Sequence, residues 1–315
     1  MFMINVRTSN LRIRVSNLHA LRFTTASART KRLESQRMVH LILTGATGLV
    51  GSAVLSHILS LPNTTITRLS ILSRNPSIPL LASPPPEGTP HANKTTHIEV
   101  ISHQDFNTYS PEILDKLNGA EACIWALGVS QNDVSKDEYV QITRDFTLSA
   151  ARAFSSLPST TTNAQQTKFR FVYVSGMGAT QTPGRFTPLF GRVKGETETA
   201  LLKLAAESEF RAKLCAFNVR PAAVDGRNQP WLWRGVLRDK RSAAQRVYLP
   251  AVIAPIKWVG REGWLSPTEE LGRVLVDMAL DSTTRYEGDG VHEEGTILDN
   301  VALRRLGKEG VKSAS

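Results

Sequence analysis

The sequence predicts an α/β fold, a doubly wound parallel sheet with helices on both faces and a small region added at the C-terminal end. Three observations predict it. From residue 39 onward, short β-branched or apolar runs alternate with longer helical patterns, the signature of successive strand-helix-strand units. The first strand passes into the first helix through a turn holding three glycines. The 315 residues, 41% of them hydrophobic, suffice to bury one substantial core.

The elements follow in order. HLILT, residues 40–44, is the first expected strand, and LVGSAVLSHILSL, residues 49–61, the first helix, stopped by Pro62. Residues 66–73 (ITRLSILS) give strand two, and a loop through Pro84, Pro85 and Pro86 leads to strand three at 97–101. A short helix is expected at 111–117 with Ser110 as its N-cap, because proline is tolerated in a first helical turn. Strand four (122–126, ACIWA) precedes a long helix at 136–154 and a Ser/Thr-rich segment at 155–167, whose composition offers nothing to pack and predicts a surface insertion. Strand five (169–175, FRFVYVS), a helix at about 189–208 and strand six (214–219) complete the regular part. The C-terminal third is less regular. It has one clear amphipathic helix at 267–280, where Leu271, Val274, Leu275 and Met278 recur at helical spacing. Cys123 and Cys215 each fall inside an apolar strand with no C-x-x-C spacing and no His cluster, so both are expected to be core thiols rather than metal ligands or a disulfide.

Charge is unevenly placed. Of the formal net charge of +10, residues 1–37 carry +7: Arg7, Arg12, Arg14, Arg22, Arg29, Lys31, Arg32 and Arg37 against Glu34. The remainder has an ordinary balance that gives no support to nucleic-acid binding. The leading stretch is rich in Arg, Ser and Thr and nearly free of acid, the composition of a mitochondrial transit peptide. Two other origins fit it, a disordered tail and an upstream start chosen in place of Met38. No apolar run is long enough for a membrane span. The expected organisation is therefore an N-terminal extension, 1–37, and a single domain, 38–315, with a substrate-side lid at about 227–315.

The chemistry concentrates in Thr44-Gly45-Ala46-Thr47-Gly48-Leu49-Val50-Gly51, set between a strand and a helix. A dinucleotide pyrophosphate needs backbone N–H groups aimed at it from a helix N-terminus, and side-chain bulk in the turn would hold it away. Glycines at 45, 48 and 51 remove that bulk. The motif predicts a Rossmann-type site for NADP(H) or NAD(H). A carboxylate at the end of strand two would favour NAD; this chain has Ser73-Arg74 there and no acid before Glu87. A guanidinium pairs well with a 2′-phosphate, so Arg74 favours NADP.

TGATGLVG resembles the cofactor loop of the short-chain dehydrogenase/reductase superfamily, in its extended and atypical, epimerase-like and NmrA-like branches, and further landmarks follow in the right order over residues 39–226. The resemblance implies that Thr47, Leu49 and Val50 join the glycines around the pyrophosphate, that Asp105-Phe106 meets the adenine, and that Ala126-Leu127-Gly128 runs past the ribose and nicotinamide side. In the superfamily a Ser after strand five polarises a substrate carbonyl, a Tyr on the next helix donates a proton, and a Lys four residues on lowers the Tyr pKa and holds the nicotinamide ribose. Ser175 and Lys194 occupy two of these positions. The Tyr position is Phe190, and a phenyl ring has no proton to give. Arg220-Pro221-Ala222-Ala223-Val224 resembles the segment that closes over the nicotinamide, with Pro221 and Val224 as its contacts. Beyond it, Trp231, Trp233, Trp258 and Trp264 lie among Arg234, Arg238, Lys240, Arg241 and Arg246, a composition expected of a lid packed on the core with a solvated rim. Three functions are compatible with this set: an NADP-dependent oxidoreductase acting on a small carbonyl, enone or sugar-nucleotide-like substrate, an NADP(H)-sensing regulator that signals to a protein partner, and a structural factor whose cofactor site stays empty.

Overall fold

The computed structural model describes residues 39–61, 65–82, 95–158, 168–232 and 262–313. The extension 1–37 with its transit-peptide expectation, the loop of Pro84 to Pro86, most of the Ser/Thr-rich insertion, and Trp233, Trp258, Arg234, Arg238, Lys240, Arg241 and Arg246 lie outside the described residues.

In chain order the strands are β1 (His40–Thr44), β2 (Arg68–Ser73), β3 (His97–Ser102), β4 (Ala122–Trp125), β5 (Phe169–Val174), β6 (Leu214–Arg220), β7 (Ala223–Asp225), β8 (Leu265–Pro267), β9 (Val291–His292) and β10 (Ile297–Asp299). The helices are α1 (Leu49–Ser60), α2 (Pro79–Ala82), α3 (Pro111–Leu117), α4 (Lys136–Val140), α5 (Phe146–Ser155), α6 (Leu189–Ala206), α7 (Thr268–Leu280) and α8 (Asn300–Ser313). Eight strands make one sheet in the order β3-β2-β1-β4-β5-β6-β10-β9, and β7 pairs with β8 apart from it. All pairs are parallel except β9 on β10. The chain winds outward from β1 to β3, then returns to lay β4 on the other side of β1. Connections leaving these two strands therefore diverge, opening a crevice at the strands' C-terminal edge, where ligands of doubly wound sheets bind.

The sheet is buried on both faces. Leu41 and Leu43 of β1 pack with Val54 and Ile58 of α1 and Leu271 and Leu275 of α7, whereas Ile42 between them joins Trp125, Phe171, Phe154 and Leu201 on the opposite face. A strand covered on both sides needs no polar alternation, which is why HLILT is a nearly continuous apolar run. Helix α7 approaches α1 closely because it carries Gly272, where a Cβ would lie 2.5 Å from the Ala53 carbonyl oxygen. Arg170 of β5, buried to 7% exposure, reaches the end of α7: its Nε donates to the Met278 carbonyl at 2.8 Å and its Nη1 to that of Thr283 at 2.5 Å. The same guanidinium lies 4.6 Å over the centre of the Phe217 ring.

The six expected strands and their order are present, with ends shifted by at most two residues. Ser110 occupies the N-cap of α3 without a side-chain cap bond. The expected helix at 136–154 is interrupted by a π-helical stretch, Gln141–Asp145, between α4 and α5. β7 to β10, α2 and α8 are not among the elements expected from sequence. Both cysteines are free, Cys123 buried in β4 and Cys215 half-buried in β6. Among the described residues no helix is long and apolar enough to cross a membrane.

One buried and one half-buried imidazole couple this packing to pH. His40 Nε2 lies 2.9 Å from the Ser70 hydroxyl and Nδ1 3.3 Å from the Asn118 carbonyl, a pattern that a neutral ring protonated on Nδ1 satisfies. Burial, then the charge of Arg68, pulls its pKa from 6.5 to about 4; burial, then Arg273, does the same to His57. Between those values the unfolded chain binds more protons than the native one, so stability rises with pH across that window. The contribution is complete above pH 6.5 and is lost as pH falls toward 4, up to about 3 kcal/mol for each ring. Denaturant titrations of the native chain and of His40→Gln/His57→Gln should show a weaker fall from pH 6.5 to 4 in the variant; parallel curves would refute this assignment.

Candidate functional site

The glycine turn sits where β1 and β4 part. Gly45 has φ of +69°, a left-handed conformation that strains other residues, and a Cβ on it would overlap the Ala126 carbonyl. A Cβ on Gly51 would likewise overlap the Gly45 carbonyl, so α1 begins directly against its own leading turn. Gly48 differs: it is the exposed N-cap of α1, and its nearest neighbour for a Cβ would be 3.4 Å away. Gly48 N–H donates to the Gly45 carbonyl at 2.8 Å, and the first helical bond runs from Ser52 N–H to the Gly48 carbonyl at 2.9 Å. The amides of Leu49, Val50 and Gly51 at the helix start thus lack intrahelical acceptors, and among the described residues the N-cap supplies no side-chain bond. Such a terminus, with aligned peptide dipoles behind it, suits an anion.

Beside it opens a cleft of about 500 Å³ lined by the exits of β4, β5 and β6 and by α6. It brings together Val50, Ala126, Leu127, Gly128, Ser175, Lys194, Pro221 and Val224, eight residues singled out from sequence. Each is held by local bonding. The Thr44 hydroxyl accepts from Leu127 N–H at 3.2 Å, tying the β4 exit to β1. Ser175 N–H donates to the Val219 carbonyl and Met177 N–H to that of Pro221, both at 2.8 Å, extending the β5–β6 pairing into the cleft wall. Ala222 N–H donates to the Ser266 hydroxyl at 2.9 Å.

Two glycines bring α6 onto the loop after β5. A Cβ on Gly191 would lie 2.5 Å from the Gly178 carbonyl oxygen, and one on Gly195 would overlap the Thr180 carbonyl. That approach sets the Lys194 Nζ 2.5 Å from the Ser175 carbonyl oxygen, to which it donates. The Ser175 hydroxyl is buried and has no hydrogen-bond partner among the described residues. Burial pulls the Lys194 ammonium down to about 8, opposed by the Glu198 carboxylate one turn along α6. Glu198 is fully buried and bound twice by Arg220, Nε to Oε1 at 2.9 Å and Nη2 to Oε2 at 2.5 Å. Phe190 does not line the cleft. Its ring tip lies 3.2 Å from where a Cβ of Gly178 would be, and its N–H donates to Gln131 Oε1 at 2.9 Å.

The adenine side is only partly as expected. Arg74 is exposed at the end of β2, and its carbonyl accepts from Gln104 Nε2 at 2.8 Å, which joins it to the loop carrying Asp105. The exposed Asp105 carboxylate accepts from Asn107 N–H at 3.0 Å and the Thr108 hydroxyl at 2.9 Å, bonds that hold its pKa below the usual carboxylate range. Phe106 requires correction: its side chain is fully buried between Trp125 and Phe146, at ring separations of 5.9 Å, so only its backbone is available to an adenine. Thr47 is half-buried in the glycine turn, and Leu49 and Val50 half-buried in the first turn of α1. Trp231 is half-buried against the core and Trp264 is 48% exposed. Gln131, Glu198 and Met177 were missed. Glu198 carried a usable signal, since position i+4 from Lys194 shares its helix face.

No family model matches the chain. Leucinostatins biosynthesis cluster protein T of Purpureocillium lilacinum is 30% identical over 286 residues, covering 84% of this chain and 94% of that protein. Botcinic acid biosynthesis cluster B protein 16 of Botryotinia fuckeliana (strain B05.10) is 42% identical over 167 residues, 50% of this chain and 96% of that one. A solved short-chain dehydrogenase/reductase from Serratia marcescens BCRC 10948 shares the fold at a TM-score of 0.55 and 12% identity, over 84% of this chain and 97% of its own. Matched at 30% identity along nearly the whole length of that relative, the chain belongs to one family with Leucinostatins biosynthesis cluster protein T, and it shares the fold of solved short-chain dehydrogenases/reductases.

Proposed function

We propose that the protein is an NADP(H)-dependent oxidoreductase acting on a small carbonyl or sugar-nucleotide-like substrate. The observation that carries this reading is a side-chain-free cradle at Gly45, Gly48 and Gly51 opening onto a cleft that holds an orphaned Ser175 hydroxyl and the Lys194 ammonium. Those features fit a dinucleotide: amides without acceptors for its diphosphate, space that a Cβ would fill, and polar groups at the far end for ribose and substrate. Leu49, Val50 and Gly51 would hold the diphosphate, Arg74 the 2′-phosphate, Asp105 and the Phe106 backbone the adenine, and Lys194 the nicotinamide ribose. Ala126 to Gly128, Pro221 and Val224 would form apolar or backbone walls around the reacting end. Ser175 would orient a substrate oxygen. A bound reduced nicotinamide would supply two electrons and a hydrogen to the substrate carbon.

The two curated relatives are named for biosynthesis clusters, which supports a tailoring step on a small biosynthetic intermediate. Phe190 favours a second reading, an NADP(H)-sensing regulator without turnover that acts through a protein partner. Consumption of NADPH absorbance with a panel of aldehydes and ketones separates the two: turnover refutes the sensor, and tight NADPH binding with no turnover refutes the enzyme. As part of the same proposal, residues 1–37 direct the chain to mitochondria and are removed there; an intact N-terminus on the mature protein would count against this.

Gly48→Ala should preserve the fold, since its methyl meets ordinary contact distances, while NADPH affinity by calorimetry falls at least tenfold. Gly51→Ala should lower stability by about 1–3 kcal/mol through overpacking. Equal effects of the two variants on melting temperature and affinity would contradict the cradle. Arg74→Ala should weaken NADPH binding about tenfold and leave NADH unchanged, the loss of one charge-assisted contact; an unaltered preference would show that Arg74 is only a solvated charge.

A further inference from the structure

Among the described residues lining the cleft, Lys194 is the one titratable side chain. Phe190, at the position where the family's proton donor stands, is chemically silent and turned onto Gly178 outside that lining. Among the described residues the reacting end presents the Ser175 hydroxyl, buried without a partner there, and the Lys194 Nζ, held on the carbonyl of the same residue. We propose that Lys194 is itself the proton donor of the reduction, giving its proton to a carbonyl oxygen that the Ser175 hydroxyl positions. The proposal rests on the oxidoreductase reading above and replaces a lysine that works through a neighbouring phenol with one that acts directly.

The balance closes with named partners. The substrate carbonyl is reduced: its carbon gains a C–H bond at the expense of the reduced nicotinamide dinucleotide, which is oxidised, and its oxygen gains the proton as one N–H bond of Lys194 breaks. Lys194 leaves as a neutral amine and recovers a proton from water at the cleft mouth. Such a donor works best when its pKa lies near the working pH. The groups facing it make that possible. Glu198 on its own helix favours the ammonium, but that carboxylate is shared with Arg220 at the end of β6, and the neighbouring Tyr173 of β5 and Tyr139 of α4 are buried phenols whose pKa values burial raises, so neither carries charge.

The test uses the full chain. In the ligand-free native protein labelled with 13Cε-lysine, the Lys194 resonance, identified by its loss in Lys194→Arg or Lys194→Met, should titrate near 8; titration near the ordinary 10.5 overturns the proposal. With NADPH and a panel of aryl and alkyl ketones, native kcat should fall as pH rises through about 8, because the ammonium form is the reactive one. Lys194→Arg keeps the cation and loses the readily transferable proton, so kcat at saturating NADPH, where a weaker hold on the ribose does not enter, should drop at least a hundredfold. Undiminished turnover in Lys194→Arg overturns the role of Lys194 and leaves the oxidoreductase reading standing. A native protein that binds NADPH and reduces no ketone overturns both.

Discussion

The contact on which the site depends is backbone against backbone. Gly51 lies under the Gly45 carbonyl, and Gly45 lies against the carbonyl of Ala126, so three segments from β1, α1 and β4 meet with no side chain between them. The approach fixes where α1 starts relative to the sheet, and with it the direction in which three acceptor-free amides point. It also fixes the β4 exit, because Thr44 and Gly45 hold Leu127 and Ala126 in place from below. A cradle for phosphate and one wall of the cleft are thus consequences of the same steric fact.

The opposite wall repeats the device. Gly191 and Gly195 admit the Gly178 and Thr180 carbonyls to the surface of α6, which brings Lys194 to Ser175. Burial at that point is costly for an ammonium, and Glu198 offsets part of the cost. Arg220 completes the group from β6, one residue before Pro221 enters the cleft. A buried carboxylate that lost this guanidinium would be left uncompensated, so the pair specifies the relative placement of helix and strand more than it adds stability.

Legibility in the sequence tracked the length of each signal. The six strands β1 to β6 and helices α1, α6 and α7 are long enough for apolar periodicity to declare them, and TGATGLVG carries its own strand and helix as context. β7 to β10 have two or three residues each, below the span in which alternation can be seen, and each exists through its pairing: β10 on Asn218 to Arg220 of β6, β9 on β10, and β7 with β8. The π-helical stretch at Gln141–Asp145 leaves no compositional trace. The inward direction of the Phe106 side chain was not legible because a motif names a position in the chain and not where its side chain points; the aromatic environment of Trp125 and Phe146 decides that. Gln131 was invisible for the same reason, its partner being a backbone N–H 59 residues away.

Arg170 has a bearing on how the molecule is made. It stands in the middle of the sheet, yet its acceptors, the carbonyls of Met278 and Thr283, lie more than a hundred residues downstream, and β6 receives its outer neighbour only from β10. While the ribosome is still translating that stretch, a growing chain holds an unpaired guanidinium beneath an uncovered apolar face and an open edge on β6. Nascent intermediates of this kind attract other strands and exposed apolar surfaces. The position of one arginine thus ties the middle of the sheet to a stretch of chain that the ribosome makes late.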